Sequence, residues 1–214
     1  MSIAGPSKAG KTRSALEIGR HFGNGKIFVA DTEDGKSAFY EGKVPFDAFK
    51  IVPPFAPSTI GKIVDAAAEG GYDTLIIDSL TAFWKGQGGM LELIDEYARA
   101  KCGGNTYAAY KKYDAIYQRE IVERILRAPM NVIVTIRSKM KHEMVEENGK
   151  KVVKKMGLDP EMRDDFGFNM DLECTVNADH DMTIGSNRFD DLDGKIFNKP
   201  GKDVADLILA GLAT

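Results

Sequence analysis

No stretch of this chain restricts its fold as far as residues 5–12, Gly5-Pro6-Ser7-Lys8-Ala9-Gly10-Lys11-Thr12. They fit the phosphate-loop pattern Gly-x-x-x-x-Gly-Lys-Ser/Thr at every fixed position. Glycines at 5 and 10 permit backbone conformations closed to residues with a side chain, so successive N–H groups can turn inward around an anion. Lys11 then reaches the outer phosphates of a nucleotide. Thr12 falls in the first turn of the next helix, where its hydroxyl can ligate Mg²⁺ and unpaired helical amides face the phosphates. Arg13 follows in the same turn. A chance glycine-rich turn would need no helix behind it, yet Ala15, Leu16, Gly19 and Phe22 continue with helical spacing. Only Met1-Ser2-Ile3-Ala4 precede the loop, fewer than the about five or six residues of an ordinary strand, so either the start is trimmed or the leading strand is short.

Downstream, Lys26-Ile27-Phe28-Val29-Ala30 is an apolar run that stops at Asp31-Thr32-Glu33-Asp34-Gly35, and it predicts a buried parallel strand with a polar tip. Ligands bind at the carboxyl ends of strands in an open α/β sheet, which places that tip near the loop. Residues 49–52 predict a weaker strand closed by Pro53-Pro54. Ser58 is placed to cap a helix with Ile60, Ile63, Val64 and Ala67 on one face, ending at Gly70-Gly71. The run from Tyr72 to Ser79 then delivers Asp78 at its end. An apolar strand ending in aspartate ordinarily marks a turn or cap. Behind a complete phosphate loop, it reads as the carboxylate that holds the water shell of Mg²⁺ opposite Thr12.

Residues 79–104, glycine-rich at 86–89 and 103–104 with a helical stretch between them, predict a mobile or partner-ordered connection. The helix expected over 105–127 carries Tyr107, Tyr110, Tyr113 and Tyr117. Such a row can stack on bases, but Tyr110, Tyr113, Tyr117 and Ile121 share a face, and packing on the sheet is the simpler reading. Residues 131–136 are the clearest buried strand, and they pass directly to Arg137, a cation at the strand tip beside the expected γ-phosphate.

From Arg137 to Lys155 there are seven Lys or Arg against three Glu, a local charge of +4 in a chain of net charge −3. The chain as a whole therefore presents no field for nucleic acid, and any such contact must be local. Glu147-Asn148-Gly149-Lys150 supplies an Asn-Gly turn, predicting a protruding β-hairpin inserted at about 138–156. A charge run is ordinarily a solvated face. The functional reading is a basic finger whose Lys139, Lys141, Lys150, Lys151, Lys154 and Lys155 touch phosphates. The tail predicts antiparallel strands over 169–176 and 181–185, with Asp179-His180-Asp181 as a hydrophilic turn, since no further metal ligand has suitable spacing. Pro200-Gly201 opens a last helix with Val204, Leu207, Ile208 and Leu212 on one face.

With 214 residues, 43% of them hydrophobic, the chain can bury one sizeable core, and a single domain over 1–214 is expected. Cys102 and Cys174 are too few for a disulfide framework and fit a reducing compartment. No uncharged run is long enough to span a bilayer and no signal-peptide pattern opens the chain, so a cytoplasmic protein without a membrane partner is expected.

Taken together these motifs resemble the RecA-like ATPases, and in particular the small AAA-type ATP-binding proteins of bacteriophages. The likeness covers nearly the whole chain. It rests on residues 5–12, on Asp31-Thr32-Glu33, on Leu75-Ile76-Ile77-Asp78-Ser79, on Thr135-Ile136-Arg137-Ser138-Lys139, and on Gly157-Leu158-Asp159-Pro160 with Arg163-Asp164. The resemblance implies an α/β fold, a mostly parallel sheet sandwiched by helices with a hairpin insertion and C-terminal antiparallel strands. It implies ATP with Mg²⁺, and work on phage DNA, single-stranded for preference, in recombination, annealing or replication within the host cytosol. By position, Glu33 resembles the carboxylate that orients the attacking water, Asp78 the metal-side acid and Arg137 a γ-phosphate sensor. Arg188 is a candidate to reach the nucleotide of a neighbouring subunit in a homo-oligomer, though Asn187 stands where the family often has a second basic residue. Two rivals predict different products: a nucleotide kinase with the basic segment as its lid, and a non-hydrolysing module that loads a replication or recombination partner.

Overall fold

In the computed structural model, residues 1–147 and 150–213 are described, with the side chains of 141–143, 145–147 and 150–156 left aside. The expected Asn148-Gly149 turn lies outside the described residues. The chain runs β1 (Ser2–Gly5), α1 (Lys11–Gly19), β2 (Ile27–Asp31), β3 (Asp47–Lys50), α2 (Thr59–Glu69), β4 (Thr74–Asp78), α3 (Thr81–Lys85), α4 (Met90–Lys101) and α5 (Thr106–Tyr117). A π-helical turn (Gln118–Val122) leads into α6 (Glu123–Leu126), followed by β5 (Asn131–Glu147), β6 (Lys150–Pro160), β7 (Leu172–Val176), β8 (Asp181–Asn187), β9 (Ile196–Asn198) and α7 (Lys202–Leu212).

One mixed sheet has the order β3-β2-β4-β5-β1-β7-β8-β9, with β6 paired to β5 alone. The strands from β3 to β7 in that order are parallel, and β7-β8, β8-β9 and β5-β6 are antiparallel. This is the α/β architecture the sequence predicts. Its central strands read as continuous apolar runs because both faces are covered. Successive residues alternate between the two cores: Leu75 and Ile77 of β4, with Val134 and Ile136 of β5, pack under α2–α6. Ile76 and Ile133 point the other way, toward α1 and α7. Each such fully buried side chain contributes roughly 1.5–3 kcal/mol relative to exposure.

The short first strand is central. β1 has four residues, all buried, held between β5 and β7 (Ile3 opposite Thr135 and Cys174).

Several local expectations are corrected. Within 79–104 the helical stretch between the glycine clusters is α4, as expected, but α3 precedes it and the segment is packed: Phe83, Trp84, Met90, Ile94 and Ala98 are buried in the first core. The glycines there serve close packing: a Cβ on Gly86 would stand 2.5 Å from the Ala82 carbonyl oxygen, and one on Gly88 2.5 Å from Pro54 Cβ. In the tyrosine row, Tyr117 is buried beside Trp84 and Tyr113 packs on Tyr97, whereas Tyr107 (83% exposed) and Tyr110 (41%) face solvent. Ser58 stands at the start of α2 without a side-chain capping bond. The weak strand lies at 47–50 and is an exposed edge. The tail strands occupy 172–176 and 181–187, and β9, a third tail strand, is added at the sheet edge. On α7, Val204 and Ile208 are buried while Leu212 is exposed.

The basic segment is less separate than an insertion. β5 continues without a break from the sheet into a ribbon that pairs with β6 from Ser138/Pro160 outward. Its register sets Glu143 opposite Lys154, Glu146 opposite Lys151 and Glu147 opposite Lys150. Lys141 is opposite Gly157 and Lys155 opposite His142.

Candidate nucleotide site

The parallel strands β1, β2, β4 and β5 all end at one side of the sheet, and the loop 5–12 curls over that side between β1 and α1. Gly5 is required by proximity, since a Cβ there would come within 2.4 Å of the Val176 carbonyl oxygen. Gly10 is required by its backbone, with φ +96 at the start of α1. Among the described residues, the amides of Ser7, Lys8, Gly10, Lys11, Thr12 and Arg13 have no hydrogen-bond acceptor. Such a cluster of unpaired donors at a helix start suits an anion.

Lys11 is buried and its Nζ donates to the carbonyls of Gly5 and Pro6, both at 2.9 Å. Burial lowers its pKa from the ordinary lysine value, against the pull of Asp78 and Glu33. The ammonium is therefore costly where it stands and gains from an anionic partner.

Across the loop, the Thr12 hydroxyl donates to Asp78 Oδ2 at 2.7 Å, and the Thr135 hydroxyl donates to Oδ1. Burial raises the Asp78 pKa, partly offset by these two donors. The two predicted Mg²⁺-side groups, 66 positions apart in sequence, are thus in direct contact. No cluster of three or more His, Cys, Asp or Glu suited to a metal occurs among the described residues. A hydroxyl and a single carboxylate beside a phosphate site fit Mg²⁺, which keeps several waters and takes its remaining ligands from phosphate oxygens.

Glu33 and Arg137 meet across the cavity mouth. Arg137 Nε and a terminal nitrogen donate to the two Glu33 oxygens, both at 2.5 Å, while Ser79 Oγ (3.1 Å) and Lys36 Nζ (3.2 Å) also donate to them. Burial alone would raise the Glu33 pKa, but Arg137 first and Lys36 second outweigh it and hold the carboxyl below its ordinary value.

Sequence reasoning missed the residue that aims Glu33. Asp31 is buried at the end of β2 and accepts from the amides of Glu33 (2.6 Å), Gly35 (3.3 Å) and Ser37 (2.8 Å), and from the Ser37 hydroxyl (2.6 Å). Its carboxylate folds the next turn around itself. The available signal was an aspartate followed shortly by Gly35, a side chain suited to bonding backbone just ahead of it. Thr135 and Tyr40 carried no such signal.

The groups line two adjoining cavities. One of about 640 Å³ is bounded by the loop, Glu33, Lys36, Tyr40, Asp78, Arg137 and Lys139. The other, about 490 Å³, shares Lys8, Gly10 and Tyr40 with it and adds Arg13, Lys43, His180 and Lys199 among others. Pro6 and Ala9 shape the loop from behind, through an Ala9 amide to Pro6 carbonyl bond of 3.3 Å. Lys139 stands 3.9 Å from Asp159 at the root of the ribbon. The side chains of Lys141, Lys150, Lys151, Lys154 and Lys155 lie outside the described residues. Arg188 does not join the site of its own chain. It pairs with Asp171 at 3.2 Å, and because Asn187 is opposite Leu172 at the start of β7, it occupies the other end of the sheet.

A family model described as AAA domain matches residues 1–197. The chain belongs to the AAA domain family. This is a family of nucleotide-binding ATPases built on the phosphate loop, and residues 5–12 lie within the matched segment. No curated protein matches the chain. Among the described residues of this AAA domain, no helix is long and apolar enough to cross a membrane.

Proposed function

We propose that this AAA domain binds ATP with Mg²⁺, transfers the γ-phosphoryl group to water, and couples that cycle to single-stranded DNA held on the β5–β6 ribbon. The observation that carries the ATPase reading is the contact of the Thr12 hydroxyl with the Asp78 carboxylate, at the mouth of a loop with unpaired amides. Mg²⁺ bound beside Thr12 would neutralise charge on the β- and γ-phosphate oxygens. Lys11 exchanges two carbonyls for phosphate oxygens, which relieves a buried ammonium whose hydrogen bonds are to neutral carbonyls. Tyr40, common to both cavities, offers a face to the nucleobase in the second.

Glu33 orients and deprotonates the attacking water. Paired with Arg137 it is a weak base, because the guanidinium depresses its pKa. When Arg137 turns toward the γ-phosphate, burial is left as the main influence, the pKa rises, and Glu33 becomes a better proton acceptor. Support for the DNA role is the basic segment itself, seven Lys or Arg against three Glu from Arg137 to Lys155, carried on the β5–β6 ribbon.

Phosphate release measured with and without single-stranded DNA tests the proposal. Glu33→Gln should bind ATP normally and lower turnover by about 10²–10⁴-fold, the usual contribution of a general base. Parental turnover in Glu33→Gln would refute the role of Glu33. Stoichiometric transfer to a nucleoside monophosphate would instead identify a kinase.

A further inference from the structure

His180 lies in the turn between β7 and β8, a part of the fold with no phosphate-loop motif. Its Nδ1 is 2.9 Å from the carbonyl oxygen of Ala9. A carbonyl only accepts, so Nδ1 carries the proton and donates. At a helix start, Ala9 is the residue whose carbonyl the Arg13 amide would ordinarily take. Among the described residues no backbone amide takes it. The imidazole also lies against Gly10, where a Cβ would stand 3.2 Å from Nδ1.

The turn that presents the ring is braced. The Asn177 side-chain oxygen accepts from the amides of Asp179 (2.9 Å) and Asp181 (3.0 Å), and the Lys199 amide donates to the His180 carbonyl at 2.9 Å. His180 itself has φ +67, a left-handed backbone that most side chains avoid. Immediately before the turn, Val176 closes on Gly5. One hairpin thus touches the loop at its first residue and again at its summit.

We propose that His180 is a positioning residue of the nucleotide site: by engaging the Ala9 carbonyl from behind, it holds that peptide so that the amides around it face the phosphates. The proposal rests on the nucleotide-binding reading of the loop. With Nδ1 committed to Ala9, the ring's other nitrogen is its remaining polar atom, on a residue that lines the second cavity.

The test compares the full chain with His180→Gly and His180→Asn, measuring ATP affinity by calorimetry in Mg²⁺, KM and kcat by phosphate release, and Tm. Glycine accepts the left-handed backbone and removes the donor, so no strain confuses the result. Asparagine also tolerates that backbone and carries an N–H donor at nearly the place of Nδ1. His180→Gly should bind ATP about 3–10-fold more weakly, the range of one lost hydrogen bond, with KM raised in step and kcat within about twofold. His180→Asn should recover affinity to within about twofold. Parental affinity in His180→Gly, even with a lowered Tm, would overturn the proposal, as would equal loss in both variants. Absence of ATP binding by the parent would instead fell the nucleotide reading, and this proposal with it.

Discussion

Replacing Glu33 and Arg137 by alanine, singly and together, measures how tightly the proposed water-orienting carboxylate is held without nucleotide. Both guanidinium contacts are 2.5 Å long. The Arg137 side chain is 49% exposed and that of Glu33 14%. The pair therefore stands between exposed ion pairs, at about 0.2–1 kcal/mol, and buried ones, where removing a partner costs about 3–5 kcal/mol. Solvent screening of the arginine draws the value toward the lower class, and we expect a coupling of about 1.5 kcal/mol at pH 7. For a chain of this size that is a Tm difference of ~3–6 °C. The sign with pH follows from the depressed Glu33 pKa. Its stabilisation is complete above the ordinary glutamate range and is lost as pH falls through the folded value, so the deficit of Arg137→Ala should close in acid. Thermal and urea denaturation of the four proteins supply the cycle. Repeating it with a saturating non-hydrolysable ATP analogue and Mg²⁺ should shrink the coupling below about 0.5 kcal/mol, because Arg137 then serves the γ-phosphate. Ligand-free losses that add within about 0.3 kcal/mol would refute the pairing, and a coupling unchanged by the analogue would refute its exchange.

Asp78→Asn should raise the Mg²⁺ concentration for half-maximal ATP hydrolysis by about 10–100-fold, as loss of a carboxylate supporting a metal commonly does; an unchanged Mg²⁺ titration would remove Asp78 from the site. If single-stranded DNA meets the ribbon through its local surplus of four positive charges, log affinity should fall against log salt with a slope of about −2.8. A salt-independent filter-binding series would count against the ribbon. Burial pushes the Cys174 thiol up to about 12, so it stays protonated at pH 8. Iodoacetamide should then modify Cys102 and spare Cys174 in the folded chain, and peptide mapping that finds both labelled would contradict the buried β7.

The elements legible in the sequence were those whose cause is local. Gly5, Gly10, Lys11 and Thr12 declare a phosphate loop because adjacent residues must supply both the backbone freedom and the charge. Asp78 could be read from the apolar run that delivers it. The Glu33–Arg137 pair could not be read, because its members are 104 positions apart and meet only when β2, β4 and β5 align. Residues 79–104 misled for a different reason. Glycine density suggested an open connection, whereas Gly86 and Gly88 stand where another backbone or a proline leaves no room for a side chain. The helical face of the tyrosines was correct in phase but not in extent, since Tyr110 projects from the exposed first turns of α5.

Because β1 is flanked by β5 and β7, the strand that aims the phosphate loop is synthesised before either of its neighbours and is among the last to find both. A nascent chain that has emerged only as far as α5 already carries every motif residue of the loop, yet it lacks both walls that hold those residues in register. Capture of nucleotide should therefore report completion of the central sheet, and a series of ribosome-stalled lengths ought to acquire it abruptly once β7 has cleared the exit tunnel.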